Sequence, residues 1–224
     1  MTRTIAIDGP SGAGKSTIGF ALASRIDATF VDTGLMYRAL TLAAVERGLD
    51  VDDGPRLGSL AEECRIEVER PRPEQTDRFE TVRLDGRDVT IDVRQPRIDR
   101  AVSAVSRHAE VRSAMLEIQR AAAARGDTVM VGRDIGTVVL PNATLKVYLT
   151  ASAQVRAARR AAEMHAPDRM AEYLAEIERR DAADSGRLIA PLRQADGALV
   201  LDTGRLSVDE CVDAIAAQLE ALVR

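Results

Sequence analysis

The tightest constraint on this chain lies at its start, where the apolar run Thr4-Ile-Ala-Ile-Asp8 leads directly into Gly9-Pro10-Ser11-Gly12-Ala13-Gly14-Lys15-Ser16. The second segment fits G-x-x-x-x-G-K-[ST], a pattern with meaning only between a strand and a helix. Residues 4–8 read as a short buried strand and residues 16–25 as an apolar-periodic helix, so that context is met. Glycines let such a loop turn its backbone N–H groups inward around phosphate oxygens, and the helix that follows adds its partial positive charge. A lysine at position 15 reaches the outer phosphates of a nucleoside triphosphate, and the Ser16 hydroxyl is placed to ligate Mg²⁺. Gly9 through Ser16, with Thr17 beside them, form the expected ATP seat.

Further strands read at 30–32, 128–131, 145–149 and 198–201, and helices at 37–47, 98–125, 152–164 and 208–223. Short apolar strands alternating with helices predict an α/β fold of the P-loop NTPase type, a five-stranded parallel sheet flanked by helices. Two segments break the rhythm. Residues 64–91 alternate with period two (Ile66, Val68; Val82, Leu84), with Pro71 and Pro73 in a loop and a turn signal at Asp85-Gly86. They read as a small antiparallel β insertion. Residues 163–187 are polar, rich in Arg and Asp, and weakly apolar on any face, which suits a helical lid.

Composition narrows the partners. A net charge of −4 and 3% aromatic residues argue against a nucleic-acid scaffold, which needs a basic face and stacking platforms. The apolar runs are too short to span a bilayer, the N-terminus lacks a signal-peptide layout, and Cys64 and Cys211 are isolated. These features predict a cytoplasmic protein, monomeric by default, with no nucleic acid or membrane among its partners. His108 and His165 read as surface residues. All basic residues except Lys15 and Lys146 are arginine, so a lysine in the glycine loop is informative. The same scarcity leaves no N/T-K-x-D for reading guanine. In place of a strand ending in Asp-Glu, as mechanical ATPases carry, the chain has Val129-Met-Val-Gly-Arg133-Asp134. Arginines leaving a strand end suit an acceptor that carries its own phosphate. Arg156, Arg159 and Arg160 share one face of their helix, placed either to meet the triphosphate or to form a solvated stripe. On the residues alone, a kinase for another small acceptor and a slow nucleotide-dependent regulatory module both stay open.

Five segments, in order, resemble the bacterial cytidylate kinases among P-loop nucleoside monophosphate kinases. They are Ile7-Asp-Gly-Pro-Ser-Gly-Ala-Gly-Lys-Ser16, Asp32-Thr-Gly-Leu-Met-Tyr-Arg38, Val102-Ser103 with Val111-Arg112, Gly132-Arg-Asp-Ile-Gly-Thr-Val-Val139, and Arg180-Asp-Ala-Ala-Asp-Ser-Gly-Arg187 with Ala190-Pro-Leu192. The resemblance implies Mg-assisted in-line transfer of the γ-phosphate of ATP to CMP or dCMP, giving ADP and CDP or dCDP. It also implies that Ser103, Arg112 and Asp134 read the cytosine edge and that Arg38, Arg133 and Arg187 bind the acceptor phosphate. Asp184 with Arg180, and Asp32 or Thr33, would hold the ribose, while Lys15, Arg133, Arg187 and Arg159 would carry the catalytic charge. The implied division is a P-loop core of residues 1–38, 99–156 and 188–224, a monophosphate-binding region at 39–98, and a lid at 157–187.

Overall fold

The structure, a computed structural model, describes residues 2–187 and 189–223. Met1, Leu188 and Arg224, which bound segments of the expected core, lie outside the described residues. In chain order the elements are β1 (Thr4–Asp8), α1 (Lys15–Arg25), β2 (Thr29–Asp32), α2 (Thr33–Glu46), α3 (Gly54–Glu63), β3 (Ile66–Glu69), β4 (Thr81–Leu84) and β5 (Arg87–Asp88). There follow α4 (Pro96–Val105), α5 (Ala109–Ala123), β6 (Thr128–Gly132), a π-helical turn (Ile135–Val139), β7 (Leu145–Thr150), α6 (Ala153–Glu163), α7 (Met170–Ser185), β8 (Leu199–Asp202) and α8 (Val208–Val223). The main sheet is five-stranded in the order β2-β6-β1-β7-β8, and a second sheet runs β3-β4-β5. The chain divides into two compact units, one of residues 3–27 and 129–224, the other of residues 28–128.

In the first unit, β1 and β7 pair in parallel with Ile5 opposite Leu145 and Ile7 opposite Val147, and β7 pairs β8 with Val147 opposite Leu199. β6 is buried along its whole length and β1 at four of its five residues, as strands covered on both faces must be. Parallel strands bring their carboxyl ends to one edge, where ligands of open α/β sheets bind. Gly9 leaves β1 at that edge with φ 153°, and a Cβ there would lie 2.3 Å from the Leu149 carbonyl oxygen. Only glycine tolerates both the dihedral and the approach.

Most of the polar segment 163–187 is α7, a helix over Met170–Ser185 with a narrow apolar stripe, entered through a turn at Pro167–Arg169. Tyr173 and Ile177 of α7 are buried against Ala157 and Ala161 of α6. Two alanines on one side let two large side chains on the other fill the seam, so few apolar residues suffice.

In the second unit, the insertion is antiparallel as the alternation predicts, with Ile66 opposite Leu84 and Val68 opposite Val82. Asp85 and Gly86 turn it at φ 51° and 83°, and β5 adds a third strand. α2 begins at Thr33, earlier than the expected 37, because the Asp32 carboxylate caps it by accepting from the Gly34 N–H at 2.9 Å. The single helix expected over 98–125 is two helices. Between α4 and α5, His108 takes an extended conformation, and its ring Nε2 lies 2.9 Å from the Val51 carbonyl oxygen. α3 comes so close that a Cβ on Gly58 would lie 2.6 Å from the Glu110 Cβ. Packing against α3 outweighs the continuous helical propensity of the segment. His108 is therefore a packed, half-buried side chain rather than a surface one.

The α6–α7 seam makes a local prediction. Ile177→Ala removes a large side chain from a four-residue seam and costs about 2–4 kcal/mol there. Amide exchange across α7 should accelerate at least tenfold while exchange in β1 and β6 stays unchanged. Equal acceleration in the sheet strands would show that α7 does not open separately.

Candidate active site

Five consecutive carbonyl oxygens of the glycine loop are each taken by a side-chain donor of the first unit. Gly9 O accepts from Arg133 Nη1 at 3.1 Å, Pro10 O from Lys15 Nζ at 2.7 Å, and Ser11 O from Arg156 Nη1 at 3.1 Å. Gly12 O accepts from Arg159 Nη1 at 3.4 Å and Ala13 O from the Thr203 hydroxyl at 3.1 Å. The donors come from the ends of β6 and β8, from α6, and from the loop's own lysine. Each carbonyl so engaged is turned toward its donor, which sets the orientation of the peptide N–H groups on the other side of the loop.

The helix α7 supplies the countercharges. Asp184 is almost fully buried; it accepts from Arg133 Nε at 2.8 Å and from Arg187 Nη2 at 2.5 Å. Burial alone would raise its pKa, but Arg133, Arg187 and the nearby Arg180 hold it below the ordinary carboxylate value. Three residues earlier, Asp181 receives Arg156 through both oxygens, at 3.0 and 2.6 Å, while Arg156 Nε also donates to Ala151 O at 2.9 Å. Arg159 is fixed by Thr203, through its hydroxyl at 3.1 Å and its carbonyl at 2.5 Å. Arg160 points elsewhere and pairs with Glu163 at 3.6 Å on the surface. Of the sequence-predicted residues, the first unit thus gathers Lys15, Arg133, Arg159, Arg180, Asp184 and Arg187 at the sheet edge, with Asp134 buried beside Arg133.

The second unit holds the remainder. Asp32 caps α2 and Thr33, its first residue, is buried. Arg38 Nη2 contacts Asp99 at 2.5 Å and Nη1 donates to Val93 O at 3.3 Å. The buried Arg112 guanidinium lies 5.7 Å from the centroid of the Tyr37 ring and donates to Ser106 O at 3.3 Å. Ser106 Oγ in turn donates to Ser103 O at 3.4 Å, so the break between α4 and α5 brings Ser103 and Arg112 to one place. A continuous helix would not let Arg112 reach back to the Ser106 carbonyl in this way.

Sequence reasoning missed Asp8, Asp99, Asp181, Thr203 and Glu80. Thr203 and Asp8 find their partners more than a hundred residues away, and no local spacing signals such pairs. Glu80 is 1% exposed and accepts from the Asp32 N–H at 2.8 Å. Among the described residues no group of three or more His, Cys, Asp or Glu is placed to hold a metal ion. The Ser16 hydroxyl stands at the head of α1, and a single hydroxyl ligand fits an ion held mainly by phosphate oxygens and water, the habit of Mg²⁺.

Known proteins resemble this chain over nearly its whole length. A family model described as cytidylate kinase matches residues 5–221. The chain is 49% identical over 211 residues to a cytidylate kinase of Exiguobacterium sibiricum, covering 93% of this chain and 92% of that one. A cytidylate kinase of a Geobacillus species is 44% identical over 214 residues, covering 94% and 93%. A bifunctional pantoate ligase/cytidylate kinase of a Synechococcus species is 43% identical over 96% of this chain and 44% of its own length. Among solved structures, an uncharacterized protein from Eubacterium ventriosum aligns over 98% of this chain and 99% of its own, with a TM-score of 0.53 and 11% identity, a likeness of fold alone.

Glu80 carries a prediction about pH. Burial, and next the Asp32 carboxylate, raise its pKa well above the ordinary 4.5. A carboxyl group whose folded pKa is raised contributes stability that is complete below the unfolded pKa and is lost as pH rises toward the folded one. Each pH unit within that window is worth about 1.4 kcal/mol. Glu80→Gln keeps the acceptor and removes the titration. Its melting temperature should match the wild type near pH 4.5 and exceed it at pH 8, by about 2–4 °C for each kcal/mol. A difference that does not change with pH would mean that Glu80 does not titrate in this window.

Proposed function

The chain belongs to the cytidylate kinase family and transfers the terminal phosphate of ATP to CMP or dCMP, giving ADP and CDP or dCDP; we propose the residues that carry each part of this transfer. The observation that supports the assignment best is the gripped loop of residues 9–13 beside two arginines, Arg133 and Arg187, that share Asp184. One unit thus offers a donor-phosphate loop and a second anion-binding pair along one sheet edge.

Gly9, Ser11, Gly12, Ala13 and Gly14 supply the backbone N–H groups that cradle the triphosphate. Pro10, which has none, shapes the loop's path between them, and Ser16 and Thr17 open the helix that receives it. Lys15 moves its ammonium from Pro10 O to the β- and γ-phosphate oxygens. Arg159 and Arg187 stabilise charge on the transferring phosphoryl group. Arg133, Arg187 and Arg38 bind the acceptor phosphate in the bidentate manner a guanidinium allows. Asp184 and Arg180, with Asp32 and Thr33, hold the ribose. Asp134 accepts from the cytosine amino group, while Ser103 and Arg112 complete the reading of the base edge. A uracil carbonyl in that position leaves these acceptors unpaired, which disfavours UMP.

The acceptor phosphate is already largely ionised at neutral pH, so the protein needs no general base and works by positioning and charge. Residues 157–187 close over the triphosphate and exclude water, which limits hydrolysis of ATP; residues 39–98 form the acceptor-binding region. ATP-using kinases of this family work with a divalent metal. Here Mg²⁺ would be held by Ser16 Oγ and would supply neutralisation of the negative charge on the phosphates. The enzyme acts on free nucleotides as a cytoplasmic monomer, without nucleic acid or membrane. Its acidic balance of −4 favours this reading, and among the described residues no helix is long and apolar enough to cross a membrane.

Three measurements test the assignment. An acceptor panel of CMP, dCMP, UMP, AMP and shikimate, read by ADP release, should show turnover concentrated on the cytosine nucleotides. Lys15→Ala should lower kcat by two or more orders of magnitude with the fold intact by circular dichroism, and near-normal turnover would remove Lys15 from the mechanism. Asp134→Ala should erode the preference for CMP over UMP about tenfold or more with little change in KM for ATP. Equal weakening toward both acceptors would end the base-reading role of Asp134.

A further inference from the structure

We propose that Asp8 is a positioning residue that fixes the Asp134 side chain by tying the turn after β6 to the strand that carries the phosphate loop. The proposal rests on the reading of Asp134 as the cytosine acceptor. β1 and β6 are neighbours in the sheet, but beyond Gly132 the ladder ends and the chain must be held by other means. Asp8, the last residue of β1, is 2% exposed, and both its oxygens face the head of the π-helical turn. Oδ1 accepts from the Ile135 N–H and Oδ2 from the Gly136 N–H, each at 2.7 Å.

The turn is seated without spare room. A Cβ on Gly136 would lie 3.2 Å from the Ala195 Cβ and 3.3 Å from Asp8 Oδ2. On the other side of Asp134, the Arg133 guanidinium is fastened to Gly9 O and to Asp184. The Asp134 carbonyl closes the turn by accepting from the N–H groups of Val138 at 2.9 Å and Val139 at 3.2 Å. Asp134 therefore stands between two anchors, and both lead to consecutive residues, Asp8 and Gly9. That arrangement sets the base-reading carboxylate at a fixed distance from the loop that holds the donor phosphates. Rigid support of this kind is what a discriminating site needs, since a misplacement of about 1 Å loosens the contact it exists to make.

Two identical acceptor oxygens suit two N–H donors; an amide or a protonated carboxyl offers only one good acceptor and turns a donor toward the other N–H. Burial pushes the Asp8 pKa up to about 6 against the pull of its two backbone bonds. The charged groups that face it are Asp134, Lys15 and, through its phenol, Tyr148. The tie is thus complete at pH 7.5 and weakens as the pH falls through 6.

The test is the ratio of kcat/KM for CMP to kcat/KM for UMP between pH 5.5 and 8, in the wild type, Asp8→Asn and Asp134→Ala. Both acceptors carry the same phosphate, so its own titration cancels in the ratio. The wild-type ratio should hold steady above pH 7 and fall severalfold by pH 5.5. Asp8→Asn should sit about tenfold below the wild type at pH 7.5, the scale of one lost charge-assisted hydrogen bond, and stay flat with pH. A wild-type ratio that does not change down to pH 5.5 overturns the proposal without any variant. So does an Asp8→Asn protein, folded by thermal melt, that keeps the wild-type ratio or its pH dependence while Asp134→Ala loses the preference. If Asp134→Ala itself keeps the preference, the base-reading role fails, and the proposal for Asp8 falls with it.

Discussion

The outward grip on the glycine loop is the interaction on which the rest of this site depends. A loop can present its N–H groups to phosphate only if its carbonyl oxygens are satisfied elsewhere, because a buried carbonyl without a partner is costly. Here Arg133, Lys15, Arg156, Arg159 and Thr203 accept that task for five residues in succession. The glycines make the path sterically possible, and the donors hold it. The fold serves this grip by setting the ends of β6, β1, β7 and β8 along one edge. Residues far apart in sequence reach the same few peptides from there.

Two buried carboxylates of the first unit show how partners decide whether the effect of burial prevails. Asp184 and Asp8 are equally enclosed, at 2% exposure each. Asp184 faces two guanidinium groups and is held below the ordinary range, whereas burial lifts Asp8 to about 6 because its two neutral amide donors offset that effect only in part. The first is a permanent anion suited to fixing arginines that must keep their charge in a low-dielectric site. The second is an anchor with a titration near neutrality. Asp181, bound by both Arg156 nitrogens, completes a line of acidic residues by which α7 meets the basic side chains around the loop.

Much of this was legible from the sequence. β1, the loop and α1 follow from one motif in its proper context, and α8 was bounded from its apolar period alone. The antiparallel insertion followed from alternation and the Asp85-Gly86 turn. The α4–α5 break was not legible, since Ser106, Arg107 and His108 contain no glycine or proline and the apolar period runs on through them. What breaks the helix is α3, packed against α5 through Gly58, and α3 was itself unread despite Asp53 as its cap and Pro55 in its first turn. The helix at α7 was expected, but the face it buries was not legible: its stripe needs only Tyr173 and Ile177 because the facing residues are alanines. At the site, motif runs exposed Arg133, Asp184 and Arg187. The side chains that support them, Asp8, Asp181 and Thr203, are ordinary residue types whose roles exist only through distant partners.

The scarcity of lysine has a physical reading at this edge. Arg133 serves Gly9 O and Asp184 at once, Arg156 serves Ser11 O, Ala151 O and Asp181, and Arg159 serves Gly12 O and Thr203. Each must donate in two or three fixed directions while remaining charged and partly dry. A planar guanidinium with five N–H groups meets that demand, and an ammonium on a flexible stem does not. Lys15 has the opposite task. It donates to Pro10 O at 2.7 Å, and a compact ammonium on a flexible stem suits the proposed passage to a phosphate oxygen. The loop is therefore held by arginines whose several fixed contacts demand a guanidinium, while Lys15 donates to it from within.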